Sequence, residues 1–575
     1  MKEKKSNKKR AKKGDDIEIY DLLDTIDEKP RTKRKRAVDT AKSKHRQPKD
    51  TVKSTRKQSI DTIKPKRKQS VDTIHSMRKQ FADTNRLKRK QQAETAKREH
   101  LEESTKQKKN KRIRNKEFAR VTYLFVFLFL FMSGYIVYFN VVRSKDIISS
   151  PYNVRQDTFA DRVVRGKIFD RNGNVLAQTK VAEDGSETRE YPYGNVYAHV
   201  VGYATQGKAG IESVNNVDLL TSNAFFLERM MKELRDEKNV GDNLVTTLHT
   251  HLQEAAYQAM GSNRGAVIVI EPSTGKILAS VSKPDFNPND VVVNWESLNS
   301  SEDSKMLNRA MQGKYAPGST FKVVSSLAYM RENPNFAAYS YYCEGAFTHE
   351  GTTIQCMNHR AHGTVDLEGS LAYSCNASYS NLALQLDVTD FQETASSLLF
   401  DETLPAPLQA SNSQLGLDGT SNTADRMMTA IGQGKLQVSP YHMALIAAAI
   451  ANDGTLMKPY LVSEVQSYTG SVVKKHTPSS YGDIMTMNEA MRLSADMQAV
   501  VNYGTGSALS GRGYTAAGKT GTAEVSTDKA KTHSWFMGFR NVENPDLAIC
   551  VVIENSDESG ASAVSVARAV FDAYQ

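Results

Sequence analysis

A serine followed one helical turn later by a lysine can act as nucleophile and base. Ser319 and Lys322 have that spacing in Tyr315-Ala316-Pro317-Gly318-Ser319-Thr320-Phe321-Lys322-Val323-Val324. Pro317-Gly318 reads as a turn and the apolar run after it as a helix, which places Ser319 at a helix N-terminus. There its own N–H lacks an intrahelical partner and can face a developing oxyanion. Lys322 falls on the same face of the helix. In a partly desolvated pocket its pKa drops, so a neutral amine can take the serine proton. The chemistry would be acyl transfer through an acyl-serine. Ser-x-x-Lys alone is equally a plain helix cap. The spacing recurs, for instance at Ser6, Ser54, Ser273 and Ser471, in the basic tail or in turns between strand-like runs.

Two further groups could complete such a site. Tyr373-Ser374-Cys375-Asn376 leads into a helical run. Ser374 offers a hydroxyl for proton relay, and Asn376 an amide able to hold a peptide group. Ala517-Gly518-Lys519-Thr520-Gly521-Thr522-Ala523-Glu524 reads as a strand. Lys519 and Thr520 suit a carboxylate, and the glycines, Gly521 among them, let a substrate backbone approach the sheet edge. Taken singly, Ser-x-Asn is a helix cap and Lys-Thr-Gly an edge-strand turn. Four cysteines are present, Cys343, Cys356, Cys375 and Cys550. Outside the cytoplasm Cys343 with Cys356 would form a local disulfide. His349, His359 and His362 lie close by, but their spacing fits no metal-ligand pattern, so no metal is expected.

The elements that must position these groups are unevenly charged. Residues 1–120 carry 41 Lys and Arg against 18 Asp and Glu, whereas residues 121–575 carry 35 against 47. This is a basic tail on a mildly acidic body. Between them Val121–Val142 runs 22 residues without a charge, long enough to cross a hydrocarbon core of ~30 Å as a helix. Tyr123, Tyr135 and Tyr138 suit the interfaces. Lys111, Arg112, Arg114, Lys116 and Arg120 crowd the N-terminal flank, against Arg143 and Lys145 beyond it. The positive-inside rule then places the tail in the cytoplasm and the body outside a single-pass anchor. No small-residue cleavage site follows the segment, which is too long for a signal-peptide core.

The tail repeats an acidic residue followed by Thr every eleven residues, at Asp39, Asp50, Asp61, Asp72, Asp83 and Glu94. Pro48 and Pro65 interrupt the pattern and there is little apolar face to bury. Disorder is the expectation, with helix from about Lys66 as the membrane nears. The partners expected of this basic run are anionic lipid or a cytosolic protein. The expected divisions are 1–116 tail, 117–143 anchor, 144–240 spacer and 241–575 catalytic domain. In the spacer, Asp170-Arg171-Asn172-Gly173 predicts a hairpin turn. In the catalytic domain, strands are predicted over 265–270, 276–279, 514–525, 534–539 and 547–553, with helices between and a closing helix over 561–574. Strands from both ends of a region rich in helices imply an α+β domain whose sheet joins distant segments.

Ser-x-x-Lys, Ser-x-Asn and Lys-Thr-Gly in this order resemble the signature of the penicillin-binding and β-lactamase superfamily. The resemblance covers roughly residues 150–575 and extends to Gly432-Gln433-Gly434, Gly504-Thr505-Gly506 and Trp535-Phe536-Met537-Gly538-Phe539. Arg165-Gly166-Lys167-Ile168-Phe169-Asp170-Arg171-Asn172-Gly173 and Gly210-Ile211-Glu212 are similar to boxes of the monofunctional class B penicillin-binding proteins. The resemblance implies an antiparallel sheet flanked by helices and D,D-transpeptidation of peptidoglycan stem peptides, with acylation by β-lactams. It implies Ser319 as nucleophile, Lys322 as base, Ser374 as relay, Asn376 on the peptide amide, and Lys519 with Thr520 at the terminal carboxylate, Gly521 lining the same substrate-binding strand. The N–H groups of Ser319 and Thr522 would form the oxyanion hole. No cofactor is implied, and a polytopic glycan polymerase is the implied partner of the anchor. A D,D-carboxypeptidase or a β-lactamase would use the same acyl-serine, as would a β-lactam sensor. The class A β-lactamases add a deacylating glutamate, and no counterpart stands out here.

Overall fold

The computed structural model describes residues 73–139, 162–525 and 531–574. The chain divides into two units, Met1–Phe118 and Ala119–Gln575. A single helix, α1 (Thr73–Tyr138), runs through both. It contains no proline, and its first two-thirds are dense in Lys, Arg, Gln, Glu and Ala, all strong helix formers. From Thr73 onward the tail is helix. The repeat units at Asp39, Asp50, Asp61 and Asp72, with both prolines, lie outside the described residues. In its second half α1 carries exposed Leu124, Phe127, Leu128 and Phe131. Among the described residues it is the one helix long and apolar enough to cross a membrane.

After residue 161 the chain builds a six-stranded sheet. Ile168–Phe169 and Val175–Val181 form the predicted hairpin, turning over Asp170–Gly173 with Gly173 at φ +89°. Glu187–Glu190 extends the sheet on one side. On the other side it is completed by Asn243–Thr246, then Val462–Gln466 and Val472–Lys475. Those last three strands fall in the region the sequence assigns wholly to the catalytic domain. The boundary at 240 is thus crossed by hydrogen bonds, in the parallel pairing of Ile168–Phe169 with Asn243–Thr246. Two boxes of the spacer meet in its interior, where Arg165 and Arg189 both bond the fully buried Glu212 carboxylate at 2.5 and 2.8 Å.

The larger sheet has five antiparallel strands: β1 (Gly265–Glu271), β2 (Lys276–Lys283), β3 (Ala516–Glu524), β4 (Thr532–Arg540) and β5 (Leu547–Ile553). Their order is β3-β4-β5-β1-β2, so strands from opposite ends of the domain lie side by side, as predicted. The apolar runs of β1 and β5 are buried throughout because both faces of the sheet are covered. On one face α2 (Thr250–Met260) and the closing helix Ala563–Ala573 pack Leu252, Met260, Val566 and Phe571 against Val267, Val269 and Val551. The other face meets the helix Pro440–Ile450 and a helical lobe holding α3 (Lys322–Glu332) and α4 (Asn376–Ala383). Each apolar side chain so buried stabilises the fold by about 1.5–3 kcal/mol. The edge strand β3 lies where this lobe meets the sheet.

Candidate active site

Ser319 sits in a 3-10 turn, Gly318–Phe321, that runs directly into α3. The sequence places it at a helix N-terminus, and the structure agrees, with one tight turn inserted. Gly318 makes this geometry possible. Its φ is +54°, and a Cβ there would lie 2.4 Å from the Thr522 carbonyl oxygen. The nucleophile turn therefore rests directly on strand β3. A side chain at Gly521 would in turn meet the Pro317 carbonyl oxygen at 2.8 Å.

Lys322 points from the first residue of α3 into the lobe and is fully buried. Its Nζ donates to the Ser374 carbonyl at 2.7 Å, to Ser374 Oγ at 3.3 Å and to Asn376 Oδ1 at 2.6 Å. These three acceptors suit an ammonium, while burial opposes the charge. Burial prevails and lowers the pKa to about 7, the neighbouring Cys375 and Cys356 thiols pulling weakly the other way. None of the three bonds reaches Ser319, a common state of catalytic pairs before substrate arrives.

Ser374 occupies left-handed backbone at φ +58°, which is costly for a residue with a Cβ. The turn it makes aims both its hydroxyl and the Asn376 amide at Lys322. Asn376 opens α4 and donates its Nδ2 to the Gln355 carbonyl at 2.8 Å, fixing the amide orientation. Gln355 was not singled out by the sequence, because a backbone carbonyl on a hairpin leaves no residue-type signal.

On β3, Lys519 is also fully buried, and its Nζ donates to the Thr520 carbonyl at 2.9 Å. Burial, and then the nearby Lys322, hold its pKa well below that of a free lysine. Thr520 Oγ1 lies 2.6 Å from Thr505 Oγ1. Thr505 belongs to Gly504-Thr505-Gly506, whose Gly504 packs so tightly on Ala372 that a Cβ would stand 2.2 Å from that carbonyl. The structure thus gathers Ser319, Lys322, Ser374, Asn376 and the Lys519–Thr522 strand at one junction, with Thr505 added. Ser319, Ser374, Asn376, Thr520 and Thr522 are half-buried around the two buried lysines. A desolvated base beside an accessible hydroxyl is the arrangement acyl transfer needs.

The predicted Cys343–Cys356 disulfide is not formed. All four cysteines are free and buried, and the two sulfurs stand 3.7 Å apart. A third thiol shares the pocket, Cys375 Sγ lying 3.8 Å from Cys356 Sγ.

The comparisons with known proteins agree with this geometry. Residues 265–572 match the penicillin binding protein transpeptidase domain, and residues 165–244 the penicillin binding protein A dimerisation domain. The peptidoglycan D,D-transpeptidase PbpA of Mycolicibacterium smegmatis is 31% identical over 441 residues, covering 71% of this chain and 88% of that protein. The peptidoglycan D,D-transpeptidase MrdA of Acinetobacter baumannii is 27% identical over 442 residues, covering 67% of this chain and 66% of that protein. Among solved structures, the ceftriaxone acyl-enzyme of penicillin-binding protein A from M. tuberculosis superposes with a TM-score of 0.67 at 27% identity, covering 73% of this chain and all of that one. The D,D-transpeptidase domain of a peptidoglycan glycosyltransferase from Eggerthella lenta gives 0.63 at 28% identity, over 72% of this chain and 98% of that one.

Proposed function

Because this chain belongs to the penicillin-binding protein transpeptidase family and is a serine-type peptidoglycan D,D-transpeptidase that β-lactams acylate, we propose that Ser319 is its nucleophile and Lys322 the base. The observation that carries the assignment is the fully buried Lys322, one turn from Ser319 and bonded to Ser374 and Asn376. Ser319 Oγ attacks the carbonyl carbon of the penultimate D-alanine while the neutral Lys322 amine takes its proton. The oxygen of the tetrahedral intermediate is held by the N–H groups of Ser319 and Thr522. Ser374 passes the proton to the departing D-alanine nitrogen, and the C–N bond breaks. An amine of a neighbouring stem then attacks the ester, forms the cross-link and frees Ser319. Asn376 holds the peptide amide, Lys519 and Thr520 receive the terminal carboxylate, and Gly521 lets the substrate backbone approach the strand. Side chains and backbone N–H groups complete these steps.

Labelling of the full-length chain by a fluorescent penicillin tests the nucleophile: Ser319→Ala should abolish it, and a labelled mutant would end the assignment. The reading extends to the anchor, with residues 1–116 cytoplasmic, 117–143 in the membrane, 144–240 a spacer and the remainder on the wall side. Its support is the apolar half of α1 and the basic flank before it. Protease added to intact spheroplasts should digest the body and spare the tail. A polytopic glycan polymerase is the proposed partner of the anchor, and anionic lipid of the basic run. In-membrane cross-linking should retain the polymerase with the native anchor and lose it when the anchor is exchanged.

A further inference from the structure

Four side chains beside the active site converge without any role in the acyl transfer. Cys343 ends the strand Tyr341–Cys343, and His362 precedes its antiparallel partner Gly363–Val365. Between them the hairpin Ala346–His349/Thr352–Gln355 delivers Cys356. Cys375 comes from the cap of α4, between Ser374 and Asn376. Their sulfur and ring nitrogen atoms all lie within 4.8 Å of one another.

The spacings discriminate among the states such a group can take. A disulfide brings sulfurs to about 2.05 Å. A metal about 2.3 Å from sulfur and about 2.0–2.1 Å from nitrogen, at tetrahedral angles, holds two sulfurs about 3.8 Å apart and a sulfur and nitrogen about 3.5 Å apart. The observed Sγ···Sγ separations are 3.7 and 3.8 Å, and Cys343 Sγ to His362 Nδ1 is 3.5 Å. Backbone N–H groups already point at the sulfurs, Gly345 at Cys343 and Ser378 at Cys375, each at 3.4 Å. Bonds of that kind orient thiolate ligands. Ala377, Tyr341 and Phe347 pack around the cysteines as an apolar shell. Three sulfurs and one imidazole, with no carboxylate, select zinc over calcium, magnesium or manganese.

We propose that Cys343, Cys356, His362 and Cys375 form a closed tetrahedral Zn²⁺ site that fixes the Ser374-Cys375-Asn376 turn against the Gln355 hairpin. Binding releases three thiol protons to solvent and leaves neutral imidazole as the fourth ligand. The consequence for catalysis is positional. Cys375 is covalently flanked by the two residues that bond Lys322, and Cys356 follows Gln355, whose carbonyl holds Asn376. This positioning half rests on the active-site reading above, whereas the metal content is measured independently of it.

The full-length chain, purified in detergent without chelator, should contain about one zinc per molecule by mass spectrometry of metals. Cys550→Ala, at a buried thiol of β5 outside the cluster, should keep it, and Cys343→Ser and His362→Ala should lose it. Since a ligand variant can fail to fold, a second measurement uses the unaltered chain. After chelation, added Co²⁺ should give the intense visible bands of a tetrahedral site together with thiolate charge transfer. Penicillin acylation should slow about 10–100-fold on stripping and recover with Zn²⁺. No metal and no tetrahedral Co²⁺ spectrum would overturn the site, as would a Cys343–Cys356 disulfide in the intact mass or zinc retained by both ligand variants. Unchanged acylation after complete stripping would overturn the positioning role.

Discussion

Gly432 presses on Gly318 so closely that a Cβ at position 432 would come within 1.9 Å of the Gly318 carbonyl oxygen. The same pair is joined by a hydrogen bond from Gly318 N to Gly432 O of 2.9 Å. The nucleophile turn is therefore clamped between two backbones, Gly432 on one side and Thr522 of β3 on the other. Loops rich in glycine can hold a catalytic residue this way because no side chain keeps the chains apart.

Gly432→Ala should consequently displace Ser319. A misplacement of about 1 Å can cost roughly a hundredfold in rate. Gly434→Ala is the matched control, because Gly434 has nearly the same φ, +80° against +81°, yet its Cβ would meet only the Met428 side chain at 3.4 Å. Both variants bear the left-handed strain, so their difference isolates the clash. The second-order acylation rate with a chromogenic cephalosporin should fall at least about tenfold further in Gly432→Ala than in Gly434→Ala. Equal rates would show that the turn yields without moving Ser319.

The pH dependence of acylation follows from Lys322. Burial, outweighing the nearby Cys375 and Cys356 thiols, brings its pKa to about 7. Only the neutral amine accepts a proton, so the acylation rate should be low below that value and rise through it to a plateau above. Lys322→Arg stays charged at every accessible pH. It should lose about 10²–10⁴-fold in rate, the usual contribution of a general base, together with the rising limb. Stopped-flow acylation between about pH 5 and 9 measures both. A rate flat down to the acid end would rule out Lys322 as the titrating base.

Much of this site was legible because its parts are short local motifs on rigid elements. Ser319 and Lys322 share one turn, and Lys519 to Thr522 share one strand, so spacing alone brings them near each other. The alternating ends of the large sheet were legible from apolar runs at 265–270 and 547–553. The Cys343, Cys356, His362 and Cys375 cluster was not, since its ligands come from two strands' ends, a hairpin and a helix cap, with no close Cys pair to mark it. Sequence proximity favoured Cys343 with Cys356 and ranked His349, His359 and His362 alike. Only the pairing of Gly363 with Cys343 brings His362 to that sulfur, while the hairpin's register leaves His349 opposite Thr352. The extension of the spacer sheet by Val462–Gln466 was equally hidden, because a short, partly buried strand more than two hundred residues downstream carries no address.

The buried triad of the spacer yields a stability prediction of a different kind. Burial alone would raise the pKa of Glu212, but Arg165 and then Arg189 hold it below the usual carboxylate range. Its folded pKa is thus depressed, so its contribution to stability is present above the unfolded pKa and lost as pH falls through the folded one. Arg165 also donates to the Glu212 carbonyl at 2.6 Å, and Arg189 to the Gly166 carbonyl at 2.7 Å, so both guanidiniums are tied in place. Glu212→Gln keeps the shape and removes the charge, leaving two guanidiniums facing each other in the interior. Breaking a buried pair in this way costs about 3–5 kcal/mol. Lys180→Ala, which removes an exposed pair with Glu190, should cost less than about 1 kcal/mol. Denaturant unfolding of the full-length chain at neutral pH should separate the two variants clearly. Below the unfolded glutamate value of about 4.3 the gap should narrow, as the stability held by the ionised Glu212 is lost with falling pH. A Glu212→Gln chain as stable as Lys180→Ala would mean that the triad is replaceable by neutral hydrogen bonding, and that the two boxes meet there for shape rather than charge.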